Sequence, residues 1–292
     1  CMLEYGNITA FCRWYRRYYG IDSDSRIAAY ASFGFDASMM DIYGAITNGA
    51  QLHIIPEEIR LDFMGLQSYF DENGITHSFM TTQVGRQFAL EMKCKSLKYL
   101  SIGGEKLVPC EPPKGYTFIN AYGPTETTIF ITLFEVDKYY PNVPIGKALD
   151  NAKLYIADKF GHMLPPGACG ELMITGWQVS RGYLNKPEKT AEVYTKNIYD
   201  DTPGYEVMYH SGDVARYLPD GNIQIIGRKD SQVKIRGFRI ELSEVEEVIR
   251  RYPGIKDATV VAFDEQGGGK YIAAYVVSDS EVDINALNNF IK

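Results

Sequence analysis

The first 130 residues alternate short apolar β-like runs with helical patterns. The β-like runs are Arg26–Ala31, Gln51–Ile55, Thr76–Met80, Tyr99–Ile102 and Thr117–Ala121. The helical patterns are Thr9–Tyr19, Ser38–Thr47, Asp62–Asn73 and Thr81–Met92. This alternation predicts an α/β fold with a parallel sheet and flanking helices, because parallel neighbours need a crossover between them. One crossover looks shortened, since the prolines between residues 109 and 113 exclude a helix there.

The pattern changes after residue 130 and again after residue 229. Between residues 131 and 229, short β-like pieces separated by Pro/Gly turns predict a small β-barrel-like subdomain. From residue 230 to residue 292, helical and β-like patterns predict a compact α+β lobe. Within that lobe, Ser243 to Glu246 predict a capping box and Gly267 to Lys270 predict a hairpin loop. We therefore expect a large lobe over 1–229 and a small lobe over 230–292.

Composition narrows the class of protein. With 45% hydrophobic residues the chain is not disordered, and no apolar run approaches the roughly 20 residues of a membrane span. The start, Cys1 to Glu4, lacks the features of a signal peptide. The five cysteines are scattered, which indicates reduced thiols, and the net charge of −7 argues against a nucleic-acid partner. We expect a cytoplasmic protein with no membrane and no nucleic acid among its partners.

The turn after the fifth β-like run carries the most chemistry. Ligands of open α/β sheets lie just beyond the carboxyl ends of strands, which is where Tyr122 to Thr128 fall. Tyr122 offers a ring face for a base, Thr125 a hydroxyl for a phosphate oxygen, and Glu126 an oxygen ligand for Mg²⁺. The structural alternative is a tight polar turn followed by a capped helix.

This turn, Ile119-Asn120-Ala121-Tyr122-Gly123-Pro124-Thr125-Glu126-Thr127-Thr128-Ile129, resembles the adenylate-forming superfamily, and most closely the amino-acid-activating (adenylation) domains of nonribosomal peptide synthetases. Four further segments resemble the same family in the same order. They are Phe35-Asp36-Ala37-Ser38, Gly170-Glu171-Leu172 continuing through Arg181-Gly182-Tyr183-Leu184, Tyr209-His210-Ser211-Gly212-Asp213, and Gly227 to Gly237 with Arg239-Ile240-Glu241-Leu242. Together they span nearly the whole chain.

The resemblance implies a reaction and its participants. Such domains join a carboxylate to ATP, release pyrophosphate, and pass the acyl group from the adenylate to the phosphopantetheine thiol of a carrier protein. It implies ATP/AMP and Mg²⁺ as ligands, and a peptidyl carrier domain and a condensation domain as partners. The family's Gly/Ser/Thr-rich phosphate loop and its late lysine have no counterpart in these residues. We therefore expect an internal fragment that is inactive alone.

The resemblance also assigns residues to the nucleotide and to catalysis. The nucleotide-binding set is Gly103, Gly104, Asn120, Ala121, Tyr122, Gly123, Asp213, Ile225 and Arg228. The catalytic set is Thr125, Glu126 as the Mg²⁺ ligand, and Lys234 for the second half-reaction. A carboxylate such as that of Asp213 suits the ribose 2′- and 3′-hydroxyls because it only accepts hydrogen bonds. The alternative for Asp213 is a turn cap. Ile225 departs from the aromatic residue that many relatives have there.

Asp36 decides the substrate class. In the amino-acid-activating branch this aspartate pairs with the α-ammonium of the substrate, and a buried carboxylate facing a cation favours amino acids over plain acyl chains. The alternative is that Asp36 caps the following helix. The remaining pocket positions by resemblance are Ala37, Met40, Phe79, Ser101, Gly103, Ala121, Ile129 and Phe130. Because this set has no charged side chain, we expect a hydrophobic amino acid.

The boundary between the lobes falls at Arg228 to Asp230. The stretch from Arg228 to Arg239 holds five basic residues, which fit either a solvated β-ribbon or an anion site. By resemblance, Asp230 is the hinge about which the small lobe swings, and Arg228 contacts the ribose. Two related ligases remain alternatives, an acyl-CoA synthetase and a D-alanine ligase for cell-wall carriers. A non-catalytic module that holds a nucleotide or a carrier protein is the third.

Overall fold

The computed structural model describes residues 1–235, 237–265 and 269–291, with only the backbone of Arg239. Residues Cys1–Lys229 form one unit and Asp230–Lys292 form a second. The predicted hairpin-loop residues Gly267 and Gly268 lie outside the described residues. Among the described residues, no helix is long and apolar enough to span a membrane.

A seven-stranded mixed sheet forms the centre of the first unit. Its strands are β1 (Arg26–Ala29), β2 (Gln51–Ile54), β3 (His77–Thr81), β4 (Tyr99–Gly103), β5 (Thr117–Tyr122), β6 (Thr132–Glu135) and β7 (Lys147–Ala148). The order is β2-β1-β3-β4-β5-β6-β7. Strands β1 to β5 are parallel, as predicted, and β6 and β7 add antiparallel. The sheet thus continues past residue 130, where the sequence predicts the β subdomain to begin.

Helices cover both faces of this sheet. They are α1 (Tyr5–Tyr19), α2 (Ala37–Ile46), α3 (Phe63–Asn73) and α4 (Thr82–Glu91). Successive strand residues point to opposite faces, so Met80 packs in the core of α3 and α4, whereas Phe79 packs in the core of α1 and α2. The 104–116 crossover contains no helix, which confirms the prediction from its prolines. The two cores hold the carboxyl edge of the parallel strands in place.

A second sheet follows in the same unit. Its strands are β8 (Ala152–Ala157), β9 (Gly170–Gly176), β10 (Tyr194–Lys196), β11 (Val207–Tyr217) and β12 (Ile223–Arg228), with α5 (Pro187–Val193) before β10. The order is β10-β11-β9-β8, and β12 pairs with β11. Within residues 131–229, which are all described, no pairing closes this sheet into a barrel. The expected barrel-like form is therefore corrected to an open sheet, because strand pairing is decided by long-range contacts that local turn signals do not encode.

The second unit is an α+β arrangement with its own core. Its elements are β13 (Gln232–Ile235), β14 (Phe238–Glu241), α6 (Leu242–Arg250), β15 (Ile255–Asp264), β16 (Lys270–Ser278) and α7 (Ile284–Ile291). Leu242, Ile249 and Leu287 bury apolar side chains against β15. The predicted capping box is wrong. Helix α6 begins at Leu242, so Ser243 lies inside it, and the Glu246 carboxylate accepts a hydrogen bond from the Val260 amide, 2.8 Å away.

Candidate functional site

The carboxyl ends of the parallel strands gather most of the predicted site residues at one edge of the sheet. Asp36 lies in the loop after β1, Gly103 ends β4 and Tyr122 ends β5. Since β1, β3, β4 and β5 are parallel neighbours, these ends face the same side. Edges of this kind are where open α/β sheets bind ligands.

Tyr122, Asp213 and Arg228 meet in one cluster. The Tyr122 hydroxyl donates to Asp213 Oδ2, and Arg228 Nη1 donates to Asp213 Oδ1 over 2.8 Å. The Asp213 and Arg228 side chains are only 11% and 18% exposed, and the two residues are cross-strand neighbours in β11 and β12. Burial, together with the neighbouring Asp213 carboxylate, raises the pKa of Tyr122 well above its usual value. The cluster therefore brings together a carboxylate, a phenol that its raised pKa keeps neutral, and a guanidinium group.

A bulge in β11 positions Asp213. The pairing of β11 with β9 is interrupted between His210 and Val214, and Gly212 has φ of 72°, which glycine adopts without strain. The Ser211 hydroxyl donates to the Leu172 carbonyl over 2.6 Å and accepts from the Asp213 amide over 3.1 Å. Side-chain hydrogen bonds thus replace the ladder bonds that the bulge removes, and the backbone at Asp213 is fixed.

The turn after β5 is strained and is held by a buried glutamine. Thr128 and Ile129 have φ of 59° and 72°, which is unusual for β-branched residues. The Gln178 side chain is fully buried, and its amide group donates to the carbonyls of Thr127, Thr128 and Phe130 over 3.1–3.3 Å. The Thr128 hydroxyl donates to the Gln178 carbonyl over 2.7 Å. Strain of this kind persists only where the surroundings over-determine it, and it concentrates at functional sites.

Glu126 lies in the same turn and is 3% exposed. Its Oε1 accepts a hydrogen bond from the Tyr183 hydroxyl over 2.6 Å, and its backbone carbonyl accepts from the Ser180 amide over 2.8 Å. Burial and the hydrogen bond to Glu126 raise the pKa of Tyr183. Within the part of the chain that the structure describes, no group of three or more His, Cys, Asp or Glu residues could hold a metal ion. One carboxylate fits Mg²⁺ in the way that ion binds nucleotides, through one or two carboxylates, phosphate oxygens and water.

The predicted substrate-pocket residues lie together. Ala37, Met40, Phe79, Ala121, Ile129 and Phe130 belong to a single buried cluster, which α1 completes with aromatic rings. The Phe130 ring contacts Phe11 and Trp14 edge-on. The hydroxyls of Ser101 and Tyr19 are hydrogen-bonded over 2.7 Å. The apolar residues share one buried core, and their role toward a substrate stays a prediction.

Gly103 lies where two parts of that cluster approach closely. A Cβ atom at Gly103 would lie 2.9 Å from the Ala121 carbonyl oxygen and 3.3 Å from the Phe79 ring.

Asp36 occupies the N-cap position of α2, but its side chain makes no capping hydrogen bond there. The alternative interpretation of Asp36 as a helix cap is therefore wrong.

The other predicted residues lie outside the Tyr122–Asp213–Arg228 cluster and the apolar cluster. The Asn120 side chain donates to the Pro144 carbonyl over 2.8 Å, so its amide is already bonded within the protein. Ile225 packs at the edge of the second-sheet core, and Gly104 and Gly123 are half-buried next to β4 and β5. Lys234, in β13, and Asp230 belong to the second unit. The Asp230 side chain accepts from the Gln232 amide over 3.1 Å.

Comparisons with known proteins identify the family. Residues 1–184 match the family described as AMP-binding enzyme. The chain belongs to this family. It is 41% identical over 291 residues to bacitracin synthase 1 of Bacillus licheniformis, a match that covers 100% of the chain and 5% of that synthase. It is 40% identical to surfactin synthase subunit 2 of Bacillus subtilis (strain 168), covering 100% of the chain and 8% of that subunit.

A solved structure agrees with these relatives. The adenylation domain AlmE of Vibrio cholerae, in complex with glycyl-adenosine-5′-phosphate, superposes with a TM-score of 0.84 at 25% identity. The match covers 98% of this chain and 56% of that one. The α/β fold and the resemblance to adenylation domains of nonribosomal peptide synthetases are confirmed. The chain spans only a small part of the curated relatives that it matches.

Sequence reasoning missed three side chains that organise the site. Tyr183 and Glu171 lie in motif segments that the resemblance points to, but no role follows for either from the motif alone. Gln178 lies between those two segments. A sequence signal exists for Gln178: a polar residue between two apolar neighbours, just after a strand end, predicts a buried side chain that forms hydrogen bonds.

Proposed function

We propose that the chain activates a hydrophobic amino acid as its adenylate, using ATP, within a nonribosomal peptide synthetase. The observation that carries the proposal is the Tyr122–Asp213–Arg228 cluster. The apolar set of the predicted amino-acid pocket adjoins this cluster, because its member Ala121 directly precedes Tyr122 in β5. A nucleoside site and a side-chain pocket that share one strand end suit a reaction that joins the two ligands. Membership of the AMP-binding enzyme family supports the same reaction.

In the proposed mechanism the cluster binds the nucleoside. The Asp213 carboxylate accepts hydrogen bonds from the ribose hydroxyls, Arg228 contacts the ribose from the neighbouring strand, and the Tyr122 ring stacks on adenine. Thr125 donates to a phosphate oxygen. Glu126 is the residue that would hold Mg²⁺, which when bound offsets the phosphate charge. These groups would hold the α-phosphorus in line with the incoming carboxylate, and positioning of this kind supplies most of such a rate enhancement.

The chemical step needs no general base. A carboxylate oxygen of the amino acid attacks the α-phosphorus, the bond from that phosphorus to the bridging oxygen breaks, and pyrophosphate leaves. Asp36 would pair with the α-ammonium, which is why we infer an amino acid substrate. The apolar pocket favours a hydrophobic side chain. In AlmE the corresponding complex holds a glycyl adenylate.

The second half-reaction brings in a partner. We propose that the phosphopantetheine thiolate of a peptidyl carrier domain attacks the aminoacyl carbonyl, forming a thioester and releasing AMP. Lys234 would serve this step after the unit from Asp230 onward turns about Asp230. A condensation domain of the same synthetase would then use the thioester. Holo-PA1221, which contains adenylation and PCP domains and is 27% identical, has a TM-score of 0.81 over 91% of this chain and 48% of that one.

We further propose a cytoplasmic location, where ATP is available and all five cysteines, free in the structure, stay reduced. We also propose that these 292 residues by themselves catalyse little or no adenylation. Loss of one preorganised charge donor costs on the order of 10²–10³ in rate, and the family's late lysine is not among these residues.

Amino-acid-dependent exchange of pyrophosphate into ATP tests the proposal, using the full-length protein that contains this chain. We expect exchange with leucine, valine or phenylalanine, and little with aspartate or lysine. Exchange driven only by a fatty acid would support the acyl-CoA synthetase alternative, and exchange only with D-alanine would support the carrier ligase. No exchange with any carboxylic acid would support a non-catalytic binding module.

A further inference from the structure

Glu171, near the start of β9, contacts strand β11 and Lys229, the residue that follows strand β12. Its Oε1 accepts a hydrogen bond from the Gly212 amide over 3.3 Å. Its Oε2 accepts from Lys229 Nζ over 3.0 Å and lies 3.6 Å from His210 Nδ1. The Glu171 side chain is 13% exposed, whereas that of Lys229 is half-exposed. One carboxylate therefore joins the bulge of β11 to the end of β12.

This carboxylate is held in its charged form. Burial raises its pKa, but the nearby His210 and the hydrogen-bonded Lys229 outweigh burial and lower the pKa of Glu171 to about 2. An exposed Lys–Glu pair would contribute little. Here the acceptor is largely buried and accepts two hydrogen bonds, from the Gly212 amide and from Lys229 Nζ, so its loss would leave a backbone amide and a cation without their acceptor.

The two residues that Glu171 binds flank the ribose-binding candidates. Gly212 directly precedes Asp213, and Lys229 directly follows Arg228. The Lys229 amide also donates to the Gly212 carbonyl over 2.8 Å, so the two flanking residues are bonded to each other as well. Because Asp213 and Arg228 are cross-strand neighbours, a shift at either flanking residue changes the distance between their side chains.

We propose that Glu171 is a positioning residue that sets the geometry of Asp213 and Arg228 toward the ribose hydroxyls, acting through Gly212 and Lys229. This inference rests on the proposed nucleotide site. Glu171 itself contacts no substrate in the proposed mechanism. Its effect should therefore be seen in the recognition of the ribose and not in the recognition of the amino acid.

The test compares Glu171→Gln with wild type in the full-length protein, using pyrophosphate exchange with ATP and with 2′-deoxy-ATP. Glutamine has nearly the same shape but no charge. We expect KM for ATP to rise about tenfold and the preference for ATP over 2′-deoxy-ATP to fall by a similar factor, the size of one charge-assisted hydrogen bond. KM for the amino acid should stay within about twofold, because the substitution alters the contacts beside the ribose and none of those to the amino acid.

Controls separate positioning from folding. Glu192→Gln changes an exposed carboxylate on α5 and should leave all constants unchanged. Lys229→Met keeps the side-chain stem and removes the cation, so it should reproduce part of the loss of ribose selectivity even if Glu171→Gln does not fold. Glu171→Asp retains the negative charge and should therefore retain part of the ribose selectivity that Glu171→Gln loses.

Each outcome decides the question. A lower kcat with unchanged selectivity for ATP over 2′-deoxy-ATP would show that Glu171 is merely structural, and unchanged constants in both Glu171→Gln and Lys229→Met would also overturn the inference. A wild-type protein without nucleotide-dependent exchange would instead overturn the proposed function, and this inference with it.

Discussion

Replacement of Asp213 by asparagine removes the charge from the centre of the nucleotide cluster. In the structure the Asp213 carboxylate accepts from Tyr122 and from Arg228, and both charged side chains are largely buried. Asparagine keeps one acceptor oxygen, but it leaves the Arg228 cation without its counter-ion. Breaking a buried ion pair lowers the free energy of unfolding by about 3–5 kcal/mol. We expect a loss in the lower part of that range because Arg228 is partly exposed.

The same substitution also weakens ligand binding. The ribose hydroxyls would donate to a neutral amide oxygen in place of a carboxylate, and charge-assisted hydrogen bonds are roughly twice as strong as neutral ones. If each of two hydrogen bonds loses about 1.5 kcal/mol, the affinity for AMP falls by on the order of 10².

Calorimetric titration of AMP into the 292-residue chain measures this affinity, and urea unfolding measures stability. Asp201→Asn, at an exposed carboxylate, is the matched control. Binding of AMP by Asp213→Asn within about threefold of wild type, a change worth less than one hydrogen bond, would refute the assignment of Asp213 to the ribose.

Four further substitutions test Tyr122 and Gln178 in the site and Asp41, a buried residue of α2. Tyr122→Phe keeps the ring and should lower unfolding free energy by about 1 kcal/mol, whereas Tyr122→Ala should also weaken AMP binding by about 1–3 kcal/mol through lost stacking; calorimetry that shows equal losses would refute stacking. Gln178→Leu leaves three carbonyls without their donor and should cost more than about 2 kcal/mol in urea unfolding and raise KM for the amino acid; an unchanged KM would separate this turn from the pocket. Burial raises the pKa of Asp41, which the facing amides of Ala31 and Tyr30 only partly oppose. The folded-state pKa thus exceeds the unfolded one, so protonation favours the fold and stability falls as pH rises above the unfolded pKa. Asp41→Asn should therefore be more stable than wild type at neutral pH, with a smaller difference in acid, as urea unfolding at both pH values would show.

Local patterns predicted the central sheet well, because each strand is an apolar run bounded by turn residues. Strand ends differ from the expected ones by one or two residues, as at β1, which ends at Ala29 and not at Ala31. Helix α1 begins four residues earlier than expected. Its first two residues, Tyr5 and Gly6, are exposed, and the Asn7 side chain accepts from the Glu4 amide over 2.6 Å, a contact that apolar periodicity cannot show.

The site was predictable only where a motif marks a strand end. Tyr122 and Asp213 are 91 residues apart in sequence, and the resemblance brought them together before the structure did. The supporting contacts were not predictable in this way. Gln178 reaches Phe130 across 48 residues and Glu171 reaches Lys229 across 58, and no local period encodes such pairs. Strand pairing in the second sheet depends on the same long-range contacts.

Binding of a mimic that combines both substrates tests most directly whether one site holds the nucleoside and the amino acid together. We would titrate a leucyl- or phenylalanyl-sulfamoyl adenosine and, separately, AMP into the same protein and compare the two dissociation constants. We expect the mimic to bind more tightly by on the order of 10² or more, because it spans the Asp213 cluster and the apolar pocket at once. Equal affinity for the two ligands, or binding of neither, would contradict a shared site at the ends of β1, β4 and β5.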